Sequence, residues 1–89
     1  MTSTHTLTRL AALEVEGAEL RTQRAQLLAD AAATKVAWRE AARVSDREAA
    51  FDAVDRQAEI STELSRVLRR LTQISAAISA LTPIDEVRR

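Results

Sequence analysis

The sequence predicts an all-α chain: an antiparallel helical hairpin, coiled-coil-like, that completes a four-helix bundle by self-association or by docking on a partner helix. Three observations point there. The 89 residues hold one glycine (Gly17) and one proline (Pro83), about a fifth are alanine, and Leu, Arg and Glu are frequent, a composition that favours helix and leaves strands almost no turns. From Ile60 the apolar residues step by four and three through Leu64, Val67, Leu71, Ile74, Ile78 and Leu81, which is a heptad seam. The first half carries its own seam in a different frame, so the chain must break or slip phase between them.

Taken in order, residues 1–5 read as a flexible polar tail that includes the only histidine, His5. Helix 1 is predicted over residues 6–44. Leu13, Leu20 and Leu27 repeat at seven, Leu7 and Leu10 precede them, and Gly17, Arg24, Ala31 and Trp38 fill the alternate seam positions. Extended by sevens this frame reaches Thr34, Ala41, Glu48 and Asp55 and never meets Ile60. The bend is expected between residues 42 and 47, where Ser45 stands three residues before Glu48 in a capping box: the Ser45 hydroxyl accepts from the Glu48 amide and the Glu48 carboxylate reaches back to the Ser45 amide. Helix 2 is predicted over residues 45–81, with Leu68 widening its stripe enough to suit more than one neighbour. Residues 82–89 read as a tail or short helical turn, Thr82 and Pro83 standing in N-cap and first-turn order.

Charge supports the bend. Arg21, Arg24, Lys35, Arg39 and Arg43 lie before it, and Asp46, Glu48, Asp52, Asp55, Glu59 and Glu63 after it. The outer halves reverse the signs, with Glu14, Glu16 and Glu19 opposite Arg66, Arg69 and Arg70. A mirror about residues 44 and 45 makes both contacts attractive. It also places Trp38 beside Phe51, Leu27 and Leu28 beside Ile60, Leu13 beside Ile74 and Leu7 beside Leu81. Trp38 and Phe51 then cap the hydrophobic seam at the bend, with Trp38 expected as a core plug because Trp is usually largely buried.

The inventory excludes most chemistry. There is no cysteine, no tyrosine, no glycine-rich loop and a single histidine near the start, which removes hydrolase triads, zinc sites and phosphate loops. The row Glu48, Asp52, Asp55, Glu59 lies on one helical face, but without a helical histidine it reads as a solvated face paired with Lys35, Arg39 and Arg43. Neither a cofactor nor a metal is expected. Thirteen basic and thirteen acidic residues cancel, which argues against nucleic acid as a partner, as does the absence of aromatic residues around the arginines at 66, 69, 70, 88 and 89. No signal peptide is expected, and no apolar run is long enough for membrane insertion. The location expected is cytoplasmic, with attachment to a virion or secretion without a signal peptide as alternatives. The arginine-rich, alanine-rich usage fits a GC-rich bacterial or phage genome.

Two resemblances bear on function. Arg24, Lys35, Arg47 and Glu48 stand at separations that resemble the Arg, Lys, Arg and Glu of the AroQ-type chorismate mutases, all-helical dimers of about this length. That resemblance implies arginines gripping substrate carboxylates and Lys35 donating to the ether oxygen. The sequence departs from the pattern at Leu7 and Ile84, where polar ligands would be needed. Trp38 and the hairpin plan look like the small WxG-type substrates of type VII secretion, which implies a secreted helical hairpin. Here Trp38 is followed by Arg39 and Glu40, and no glycine lies near the bend.

The sequence therefore points to a non-enzymatic structural or adaptor protein that acts through helix–helix contact. Its partner is expected to be itself, as a dimer or higher homo-oligomer, or another helical protein. The expected interface is Leu64, Leu68, Leu71, Ile74, Ile78 and Leu81, within and before an uncharged run from Leu71 to Ile84 where Ser75, Ser79, Ala76 and Ala80 recur at four. The expected bend residues are Trp38, Ser45, Glu48 and Phe51.

Overall fold

The computed structural model describes residues 4–82. Two helices fill almost all of that span, α1 over Thr4–Arg43 and α2 over Arg47–Leu81, and they lie side by side in opposite directions. The molecule measures 65 × 24 × 14 Å, against roughly 110 Å for a continuous rod at 1.5 Å per residue. Helix 1 starts earlier than predicted: Thr4 and His5 belong to its first turn.

The bend falls inside the predicted window, but its chemistry differs from the capping box. The amide of Asp46 donates to the Ala41 carbonyl at 2.9 Å and that of Ser45 to the Ala42 carbonyl at 3.2 Å. Together these form a Schellman closure of α1. Ser45 accordingly takes a left-handed conformation, φ 58°, the position glycine usually fills. The N-cap of α2 is Asp46, whose carboxylate accepts from the Ala49 amide at 3.1 Å. The predicted cap is thus displaced by one residue. Ser45 cannot cap α2 because its backbone is already committed to ending α1, and its amide is spent on Ala42 rather than on Glu48. Arg43 in the last turn of α1 and Glu48 in the first turn of α2 both suit the helix dipoles.

At the far end α2 stops at Leu81. Thr82 is extended, φ −84° and ψ 129°, as the residue before a proline must be. Its hydroxyl and amide both donate to the Ile78 carbonyl, at 2.9 and 3.0 Å. The expected turn after Pro83 lies outside the described residues.

Between the helices runs one seam. Its fully enclosed residues are Gly17, Leu27 and Ala41 on α1 and Ala53, Ile60, Val67 and Ile74 on α2. Leu20, Ala31, Leu64 and Leu71 pack around the central group of Leu27, Ile60 and Val67. Ile60 is wholly enclosed. On α2 the positions from Ile60 to Ile74 alternate by four and three, the spacing of a coiled coil, whereas on α1 the seam residues Gly17, Leu20, Leu27, Ala31 and Ala41 stand at wider intervals.

Candidate interaction surfaces

The seam's register decides what is left outside. Gly17 faces Ile74, since a methyl placed on Gly17 would meet the Ile74 Cγ2 at 3.7 Å, and Trp38 shares a shallow groove with Ala53, Val54 and Gln57. This is a slip of about half a helical turn from the mirror about residues 44 and 45. Phe51 therefore does not meet Trp38. It points outward, 67% exposed, and Trp38 itself is 46% exposed rather than a core plug. Ala41 and Ala53 close the seam near the bend. A mirror rule fixes height along the hairpin but ignores helical phase, and Phe51 stands on the side of α2 turned from α1.

The ion pairs that join the two helices occupy one flank. Arg70 grips Glu16 through two hydrogen bonds, Nε to Oε2 at 2.6 Å and Nη2 to Oε1 at 2.8 Å, as the outer charge pattern predicts. The hydrogen bonds from Arg70 hold the Glu16 carboxyl below its ordinary range and raise the arginine. Nearer the bend, however, the signs are reversed from expectation: the cross-helix pair is Arg56 on α2 with Asp30 on α1, at 3.5 Å. Among the described residues no ion pair joins Lys35, Arg39 or Arg43 to the row Glu48, Asp52, Asp55, Glu59. Arg43 binds Glu40 within its own helix, lowering the glutamate and raising the arginine, and Glu59 binds Arg56 within α2 at 3.3 Å. The basic row and the acidic row project from the hairpin on sides that do not meet.

The expected interface residues divide three ways. Ile74 is enclosed between α1 and α2, Leu64, Leu71, Ile78 and Leu81 are half-buried, and Leu68 is 47% exposed. Leu68 and Leu71 border an open groove with Arg24, Thr72 and Ser75. From Phe51 onward this flank of α2, on the side away from the cross-helix ion pairs, carries a row without charge: Phe51, Val54, Ala58, Ser61, Ser65 and Leu68 lead into Thr72, Ser75 and Ser79, all exposed.

A second exposed row escaped the sequence reading. On the side of α1 turned away from α2, Ala11, Val15, Ala18, Thr22, Ala25, Ala29, Ala32 and Val36 alternate by four and three, all exposed and none charged. The signal was present as spacing, but alanines carry it, and a search for large apolar residues passes over them. The Thr22 hydroxyl donates to the Ala18 carbonyl at 3.2 Å, leaving its methyl group to the surface.

The residues that resemble a mutase site stay apart. Arg24 lines the groove beside Leu68 and Lys35 the one beside Trp38, about 16 Å along α1 from each other, and Arg47 and Glu48 open α2 at the bend. Among the described residues no group of three or more His, Asp or Glu side chains is placed to hold a metal ion, and no helix is long and apolar enough to cross a membrane.

Fold and surface define a two-helix antiparallel hairpin with one internal seam, an uncharged outer row on α1 and an uncharged flank on α2. No family model, curated protein or solved structure matches the chain.

Proposed function

We propose that the protein is a non-enzymatic structural or adaptor component whose work is helix–helix contact, with itself or with another helical protein. The observation that carries this reading is unburied surface. Leu7, Val15, Leu28 and Val36 on α1 and Phe51, Val54 and Leu68 on α2 are all substantially exposed, a chemistry suited to burial. Two helices bury one line of contact, and these residues lie off that line.

The reading is tested by placing a photo-crosslinking residue at Val36 or at Leu68 and irradiating the cells that make the protein. Adducts to a helical protein, its own copy included, are expected from at least one position. No adduct from either, with the variants folded by circular dichroism, would overturn it. Leu68 suits this better than Leu71, whose side chain already takes part in the internal seam.

A further inference from the structure

We infer that the flank opposite the cross-helix ion pairs is a docking groove for one amphipathic helix of another protein, acidic along the edge that meets α1 and small and uncharged along the edge that meets α2. This rests on the helix–helix reading above and names the partner's chemistry. Three shallow grooves follow one another along that flank: Lys35 and Trp38 line the first with Val54, Arg24 the second with Leu68 and Thr72, and Arg21 the third with Ile78 and Ser79. They form one surface, because Arg21, Arg24, Leu28, Ala31, Lys35 and Trp38 step by three and four along α1, and Val54, Ser61, Leu68 and Ser75 by seven along α2. Four large side chains on it, Leu28, Trp38, Val54 and Leu68, are each about half exposed.

The charge of this surface is one-sided. Every ionised residue of the α1 row is basic, Arg21, Arg24 and Lys35, and the α2 row has none. Among the described residues none of the three forms an ion pair, while Glu16 and Asp30 are held on the other flank by Arg70 and Arg56. A second copy presenting the same face would bring the same cations and no acid, whereas a helix with Glu or Asp along one edge answers all three. The occupant is helical because the backbone groups of α1 and α2 are bonded within each helix. An extended segment laid here would find no partners for its own amides and carbonyls, and a helix brings its own. The row from Arg21 to Trp38 covers about 26 Å, or about five helical turns. A third helix in the trough gives the half-exposed side chains a second neighbour, with Trp38 as the aromatic anchor at the bend end.

Trp38 is the only tryptophan of the chain, so its fluorescence reports on its own groove. The probes are three synthetic, stapled helices of about five turns without tryptophan, sharing one leucine stripe and one serine edge, with Glu, Gln or Lys along the other edge. Titrated into the full-length protein, the Glu peptide should bind saturably and move Trp38 emission to shorter wavelength. It should bind roughly tenfold tighter than the Lys peptide, the effect of three exposed pairs, with the Gln peptide between them. That preference should shrink at about 1 M salt, where the Debye length is about 3 Å. In the double variant Arg21→Glu, Lys35→Glu, changed at exposed positions outside the seam so that the hairpin stays folded, the Lys peptide should bind tighter than the Glu peptide. Equal affinity of the wild type for the two, or no shift of Trp38 emission up to submillimolar peptide, overturns the inference. So do phosphatidylglycerol vesicles that shift the emission as strongly as the Glu peptide, or an emission that moves with the concentration of the protein alone, which would make a lipid surface or a second copy the occupant. If the peptides fail while photo-crosslinks form in cells from Val36 or Leu68, this partner chemistry falls and the helix–helix function stands.

Discussion

Gly17 is the position where replacing one hydrogen by a methyl group should raise stability. It lies inside α1 and inside the seam, and its conformation is ordinary helix. Glycine there costs about 0.8–1.0 kcal/mol relative to alanine in helix propensity. The gain from Gly17→Ala survives only if the methyl has room. It would stand 3.7 Å from the Ile74 Cγ2, an ordinary contact, and 3.3 Å from the Arg21 Nη1. The second distance is tight, but it involves the end of a flexible, exposed side chain that moves at small cost. The expected net gain is therefore about 0.5–1 kcal/mol. For a domain of this size 1 kcal/mol corresponds to about 4–8 °C in Tm. The measurement is thermal and urea unfolding followed by circular dichroism at one fixed, low protein concentration, so that association does not contribute. Gly17→Leu is the counterpart: a full side chain must enter the space held by Ile74, and overpacking of this kind costs about 1–3 kcal/mol. A lower Tm for the alanine variant would refute the reasoning, because it would mean that the helices approach more closely at Gly17 than the structure shows.

Further outcomes follow from the bend and from the ion pairs. Ser45→Gly should stabilise the hairpin by up to about 1 kcal/mol, since φ 58° strains any residue with a Cβ, whereas Asp46→Ala should cost about 1 kcal/mol by removing the N-cap; equal effects at the two positions in urea unfolding would contradict the assignment of cap and closure. Because hydrogen bonds from Arg70 lower the Glu16 carboxyl from 4.5, its contribution is fully present above about pH 4.5 and is lost as pH falls through the depressed folded value. Glu16→Gln should flatten that part of the Tm against pH profile, and an unchanged acid limb would show that the pair contributes nothing in solution.

The sequence by itself determined the helices and the existence of the bend. Helical composition, the four-three stepping from Ile60 to Leu81 and the frame mismatch near residue 44 are local properties, and local properties decide secondary structure when glycine and proline are scarce. The pairing of Glu16 with Arg70 was legible too, because blocks of opposite charge survive a small slip in register.

Tertiary structure decided what depends on helical phase and on a single backbone angle. Asp46 rather than Ser45 caps α2 because the closure of α1 claims Ser45 first, a competition between two ends that neither end's motif reveals. Phe51 and Trp38 stand apart because a slip of about half a turn rotates Phe51 out of the seam. For the same reason Arg56 meets Asp30 while Lys35 and Arg39 face away from the acidic row. The division of the predicted interface into an enclosed Ile74 and an exposed Leu68 also needed the packed pair, since both are large apolar residues of one stripe and only the position of α1 separates them. The alanine row of α1 was written in the sequence all along. Its significance came from the structure, which shows α2 packed against the opposite face and this one open.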